Sequence, residues 1–346
     1  MRAVRWAGPD AVRVEEVEPP GLQEPDDAIL RVSTSAICGS DLHLYHGKLP
    51  KVHPGTIIGH EFMGTVEAVG PAVRMHRPGD RCLAAMYTAC GRCARCLAGQ
   101  QQRCGRYAMF GCGELFGDLP GGQAELVRVP LADMTLSPVP AALADADALF
   151  VGDILATAYT ACVEAALQPG ETVAVVGLGP VGQLVLQCLQ LFGPGAVYAV
   201  DVLPDRLRRA GALGAIPIDG AGGDPLARLR ELNGGQRADV VLEVVGSAPA
   251  LETAWRLVDT GGRVVLVGLL VDEPFPQSAG QTWLRNLSVR SVLGRPYVHR
   301  DPLLRLIAQG RLRPAEIVSE RIPLDDAPDV YRRLAARQTS KVLLQP

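Results

Sequence analysis

TVAVVGLGPVGQLVLQCLQLF, residues 172–192, decides the fold. Five residues that read as a buried strand run directly into Gly177-Leu178-Gly179-Pro180-Val181-Gly182, and a helical pattern follows at once. In that context a G-x-G-x-x-G turn is a dinucleotide cradle. Gly177 permits the tight turn, Gly179 lets backbone approach a pyrophosphate, and Gly182 allows close helix–strand packing. The helix N-terminus, opened by Pro180 and Val181, supplies amide donors and a positive dipole end. The next apolar run, AVYAVD, ends at Asp201, 19 positions after Gly182. A carboxylate there can bond the adenosine ribose 2′-hydroxyl and would repel a 2′-phosphate, so NAD is expected over NADP. The competing reading is a purely structural turn with Asp201 capping the following helix.

Outward from this unit, the runs AIPID, DVVLEVVG and GRVVLVG alternate with amphipathic stretches, which predicts a parallel sheet with helices on both faces. Strands are expected to end near Val245-Gly246, Val267-Gly268 and Leu293-Gly294. That puts Gly268 at the ligand-binding edge of the sheet, and Arg206, five positions after Asp201, beside the adenine or on a helix surface. The first 150 residues are instead rich in Gly, Pro and short β-branched runs, which reads as an irregular β domain. The tail after Gly294 is too short to fold alone. We therefore expect an α/β unit at 153–293 inserted into a domain built from 1–152 and 294–346.

At 346 residues and 36.7 kDa two domains are expected. Apolar residues make up 48% and the formal charge is −3 without a basic stripe, which argues against disorder and against nucleic acid as a partner. Thr172–Val200 carries no charge over 29 residues. Its internal glycines, prolines and glutamines suit a buried strand–helix–strand better than a membrane span. MRAVRWAGPDAVRVEE lacks the apolar core of a signal peptide, so a cytoplasmic location, no membrane association and reduced thiols are expected. Of 34 basic residues only Lys48, Lys51 and Lys341 are lysines, a bias read as compositional and unrelated to function.

CGRCARCLAGQQQRC places Cys90, Cys93, Cys96 and Cys104 within fifteen residues. Four thiolates at this spacing match a closed tetrahedral zinc site, structural because no position stays open. Disulfides or a nucleic-acid-binding ribbon are the alternatives. Cys82, Cys112, Cys162 and Cys188 are read as ordinary buried or free thiols. Separately, Cys38 begins CGSDLH and His60-Glu61 lies in GHEFMG. A thiolate, an imidazole and a carboxylate suit a catalytic zinc, which needs three protein ligands and one open position.

CGSDLH, GHEFMG, the four-cysteine lobe and GLGPVG, in this order over essentially the whole chain, resemble the zinc-dependent medium-chain alcohol dehydrogenases. GGQAELVRVP and GDILATAY bring the chain nearest to the thermophilic bacterial and formaldehyde-dehydrogenase-like branch. The resemblance implies a doubly wound Rossmann sheet inserted in a GroES-like irregular β-barrel catalytic domain, with a zinc lobe at about 88–106. It implies a catalytic zinc on Cys38, His60 and Asp153 of GDIL, with Glu61 adjacent or exchanging, and a proton relay through Ser40 and His43. The implied reaction is reversible hydride transfer between a primary or secondary alcohol and NAD. A polyol, sugar-alcohol or formaldehyde dehydrogenase on the same machinery is the alternative, and a zinc- and NAD-binding regulatory protein is the non-enzyme one. Tyr87, Met109, Phe110 and Trp283 are candidate pocket residues. A homo-oligomer, tetramer over dimer, is implied.

Overall fold

The computed structural model describes residues 1–271, 275 and 278–346. It contains two compact units, Met1–Ala156 with Arg295–Pro346, and Thr157–Gly294.

The first unit opens with the antiparallel pair β1 (Arg2–Gly8) and β2 (Ala11–Glu16). There follow β3 (Ala28–Ala36), β4 (Glu61–Val69), β5 (Arg81–Ala84), β6 (Leu126–Val129) and β7 (Leu136–Pro138). In the second unit, six strands run β8 (Thr172–Val176), β9 (Ala196–Asp201), β10 (Ile216–Asp219), β11 (Ala238–Glu243), β12 (Val258–Leu266) and β13 (Ser288–Ser291). The chain then returns to the first unit for β14 (Val318–Pro323) and β15 (Lys341–Gln345).

In the first unit's main sheet the order is β14-β15-β3-β4-β5-β7, with β6 also beside β3. Alternation along β3 and β4 turns one set of side chains into a core containing Leu30, Val32, Phe62, Val66 and Phe110. Phe62 meets Phe110 edge-on at 4.9 Å, a geometry worth about 0.5–1.5 kcal/mol beyond area burial. Register then brings three chain segments together. Ala36 pairs with Glu61 across β3 and β4, and with Leu343 across β3 and β15. Cys38 and His60, just beyond these strand ends, and Lys341, the first residue of β15, therefore meet at one place.

The second unit's sheet is all parallel in the order β10-β9-β8-β11-β12-β13. Strand order reverses at β8, so the carboxyl ends of β8 and β11 flank the crevice where doubly wound folds bind ligands. β8 is apolar and buried from Val173 onward because both faces of the sheet are covered. The uncharged run 172–200 is thus a strand, the helix Pro180–Leu189 and a second strand. Among the described residues no single helix is long and apolar enough to cross a membrane. β13 ends three residues before the Gly294 boundary expected from sequence, and all four of its residues are exposed.

Candidate active site

Cys38 is the N-cap of the seven-residue helix Gly39–Tyr45, and His60 immediately precedes β4. Asp153 follows a turn of 3₁₀ helix, Leu149–Gly152. One donor atom from each of Cys38, His60, Glu61 and Asp153 lies within 4.8 Å of the others, and all four residues are buried. His60 Nε2 is 3.1 Å from Asp153 Oδ2 and 3.3 Å from Ser40 Oγ. Its Nδ1 lies 3.2 Å from Asp41 Oδ1, off the line of a good hydrogen bond. His43 sits on the same helix, three residues beyond Ser40 and half-buried.

The electrostatics of the cluster call for a cation. Burial pushes the Cys38 thiol up, and the charges of Glu61 and Asp153 push it further. Burial also raises Glu61 to about 7, against the pull of Lys341. Burial works against charging His60, yet the charge of Asp41, with Asp153 and the Cys112 thiol beside the ring, holds its pKa well above normal. Asp153 is desolvated too, but His60 keeps its pKa low. The Cys38 thiolate and the Glu61 and Asp153 carboxylates disfavour one another's charge in one dry site, and a cation bound among them would offset that repulsion. Glu61 Oε1 has no hydrogen-bond partner among the described residues. A sulfur, a nitrogen and carboxylate oxygens in this arrangement fit zinc.

Two neighbours were not legible in sequence. Lys341, read as compositional, is buried at 2% exposure and bonds Glu61 Oε2 and, at 3.0 Å, the Ile37 carbonyl. Its ammonium also lies 5.3 Å from the centre of the Phe150 ring. Cys112, read as an ordinary thiol, contacts the His60 ring. A rare lysine in an arginine-using chain was the one available signal for Lys341.

The second cluster holds Cys90, Cys93, Cys96 and Cys104, whose sulfurs also lie within 4.8 Å of one another. All nine cysteines of the chain are free thiols. The amides of Cys90 and Arg106 each donate to Cys104 Sγ at 3.3 Å. The Arg92 amide is the main cause that lowers Cys90 to about 6, whereas burial pushes Cys96 up to about 12.

In the second unit Gly177 adopts φ +95°, and a Cβ on Gly182 would sit 2.0 Å from the Gly177 carbonyl oxygen. Pro180 and Val181 open the helix Pro180–Leu189 that follows, with Gly179 as its N-cap. Asp201, buried at the end of β9, accepts from the Leu178 amide at 2.7 Å and from those of Val202 and Leu203 at 2.8 and 2.9 Å. Arg206 lies 3.5 Å from Asp201 and, by its guanidinium, alongside Gly179. Gly268 closes against Gly246, where a Cβ would come within 2.0 Å of backbone nitrogen.

The candidate pocket residues separate. Phe110 belongs to the core, and Tyr87 packs on Tyr107 and Tyr297 at 5.0 and 5.3 Å. Met109 is half-buried. Trp283 lies in the second unit at 80% exposure, bordering a cavity of about 460 Å³ with Phe275, Leu287 and Val289. Among the described residues that cavity is lined by no titratable side chain.

Two family models match the chain, an alcohol dehydrogenase GroES-like domain over residues 24–141 and a zinc-binding dehydrogenase domain over 180–309. A zinc-binding alcohol dehydrogenase of Mycobacterium tuberculosis is 35% identical over 97% of this chain and 86% of its own. The chain belongs to the zinc-dependent medium-chain dehydrogenase family. Among solved structures, the alcohol dehydrogenase TADH from Thermus sp. ATN1 matches with a TM-score of 0.93 at 42% identity, over 100% of this chain and 99% of its own. A zinc-binding dehydrogenase of Sinorhizobium meliloti 1021, solved with NADP, matches at 0.87 and 32% identity, over 100% and 99%. For this member the fold is thereby a GroES-like domain with a Rossmann-type parallel sheet, and the activity class that of an alcohol dehydrogenase-like oxidoreductase.

Proposed function

We propose that this family member is an NAD-dependent alcohol dehydrogenase that converts a primary or secondary alcohol reversibly to an aldehyde or ketone. The observation that carries the reading is the buried donor set of Cys38, His60, Glu61 and Asp153, separate from the four-cysteine lobe. Cys38, His60 and Asp153 would hold the catalytic zinc with Glu61 beside it, and Cys90, Cys93, Cys96 and Cys104 a structural one. Zinc, when bound, supplies Lewis acidity that eases loss of the alcohol proton, and a nicotinamide takes up the hydride.

The chain's own residues do the rest. Ser40 Oγ, hydrogen-bonded beside the donor cluster, takes the substrate's hydroxyl proton and passes it toward His43 on the same helix. Asp41 holds the His60 ring, and apolar packing around the cluster excludes water. The turn from Gly177 through Gly179, Pro180, Val181 and Gly182 holds the pyrophosphate, with Gly268 at the neighbouring strand end. Asp201 selects the free ribose hydroxyls of NAD. Arg206, close to both Asp201 and Gly179, favours a second reading in which a 2′-phosphate is accommodated and NADP is used. A polyol or formaldehyde substrate uses the same machinery. We further propose a cytoplasmic homo-oligomer, tetramer over dimer.

The test is reduced-cofactor formation by purified protein over a panel of primary, secondary and polyhydric alcohols, with NAD and NADP offered separately, before and after chelation and zinc return. Turnover that follows the metal and prefers NAD is expected. Turnover that survives complete loss of metal would move the chemistry away from Cys38, His60 and Asp153, and a preference for NADP would overturn the reading of Asp201.

A further inference from the structure

The residue opposite the metal-facing side of His60 is Asp41, and its carboxylate is held by the cap of its own helix and by one distant segment. Asp41 is buried, and its Oδ2 accepts from the Cys38 amide at 2.9 Å and from Gln123 Nε2 at 3.2 Å. Gln123 is wholly buried and its amide orientation is chemically fixed. The nitrogen faces two acceptors, Asp41 Oδ2 and, at 3.4 Å, the Ala36 carbonyl, while the oxygen accepts from the Tyr331 hydroxyl at 3.0 Å. Turned over, it would set oxygen against oxygen twice. Tyr331, on the helix Ala327–Ala335, stacks on Tyr45 at 5.5 Å, the last residue of the helix that Cys38 caps.

The backbone is shaped for this contact. Gly59 has φ +95°, and a Cβ there would lie 2.4 Å from Gln123 Cγ. One on Gly121 would meet the Ile58 backbone at 2.3 Å, and one on Gly122 the Phe62 ring at 2.2 Å. Three glycines thus let the Gly-Gly-Gln segment lie against the segment that carries His60.

We infer that Gln123 and Tyr331 are positioning residues that hold Asp41, and through it His60, in the orientation the metal centre requires. The inference rests on the reading of Cys38, His60, Glu61 and Asp153 as a zinc site. Outer partners of a ligating histidine fix its ring and tautomer, and their loss typically lowers metal affinity ~10–100-fold. Gln123→Met keeps the chain length and removes the amide. Asp41 then keeps only the Cys38 amide on Oδ2 and loses the second donor that fixes the plane of its carboxylate. Tyr331→Phe removes a single hydroxyl and loosens the Gln123 amide.

The experiment loads wild type, Gln123→Met, Tyr331→Phe and the double variant with zinc, titrates each with a chromogenic chelator and counts the metal left per chain. Cobalt substitution adds a visible spectrum that reports ligand geometry. Gln123→Met should surrender one metal at ~10–100-fold lower chelator and retain the other. Tyr331→Phe should shift the same metal less, and the double variant should match Gln123→Met, because Tyr331 acts through Gln123. Variants that keep both metals as tightly as wild type overturn the inference. So does joint loss of both metals, which marks general loosening, or multiplicative effects in the double variant. If Gln123→Met does not fold, Tyr331→Phe decides alone. A wild type that binds only one zinc removes the underlying site reading instead.

Discussion

Lys341 brings a full positive charge into a site that excludes water, and its worth depends on Glu61. Burial opposes the charge on Lys341, but the Glu61 carboxylate holds its pKa above normal. Removing one partner strands the other's charge beside Cys38 and Asp153. Lys341→Met should therefore lower unfolding stability by about 3–5 kcal/mol in chelated protein, whereas Lys341→Met with Glu61→Gln should recover most of that loss. Denaturant midpoints of the two single variants and the double one test this. A double variant as unstable as the sum of its parts would show that the pair contributes no coupling. Sequence could not disclose such a role, since Glu61 and Lys341 are 280 positions apart. Cys38, His60 and Glu61 were legible because metal donors of different chemistry stood in short, punctuated motifs. Asp41, Gln123 and Tyr331 matter only through contacts across the fold.

Among the elements, the turn after β8 was the most legible, because its glycines answer local backbone demands. Gly182→Ala places a Cβ 2.0 Å from the Gly177 carbonyl, so turn and helix must separate. Dinucleotide affinity should fall at least ~10-fold with zinc content unchanged, as read by quenching of protein fluorescence on titration with NADH; unchanged affinity would remove this turn from the binding site. β8, β9, β11 and β12 announced themselves as apolar runs because a covered parallel sheet buries both faces of its strands. β13, with the sequence Ser-Val-Arg-Ser, had no such run and left only the glycine beyond it as a sign. A second element to test is the clamp that joins β14 to the helix carrying Tyr331. Arg333 donates twice to the Glu320 carboxylate, each at 2.8 Å, and Thr339 donates once. Arg333 first, then Thr339, keeps the folded pKa of Glu320 below the ordinary glutamate value. A depressed folded pKa stabilises above the unfolded pKa, and that stabilisation is lost as pH falls through the folded value. Glu320→Gln should lower Tm by ~1–4 °C at pH 7, for a partly exposed pair worth ~0.5–1 kcal/mol. Thermal melts should show the difference closing as pH drops below 4.5; a constant difference would mean that packing and not charge is lost.

At the scale of the whole molecule, β13 stands at the end of the six-stranded sheet. β13 pairs with β12 on one side, and among the described residues nothing pairs with its other edge. Beside it Trp283 is 80% and Leu284 72% exposed, with Val289 and Leu293 also at the surface. A free strand edge next to large apolar side chains invites association, and folded proteins normally cover or charge such an edge. Arg290 gives the strand one charge, but an ion pair with Glu164 engages it. A second copy of the chain, related by a two-fold axis, would meet this surface with the same surface and continue the sheet with an antiparallel β13. Light scattering behind size exclusion should then give a wild-type mass that is a multiple of 36.7 kDa. Trp283→Glu with Val289→Lys should shift that mass downward while both metals stay bound, since both residues belong to the second unit and both metal clusters to the first. A monomeric wild type, or a double variant of unchanged mass, would show that this edge is covered by something other than a second copy.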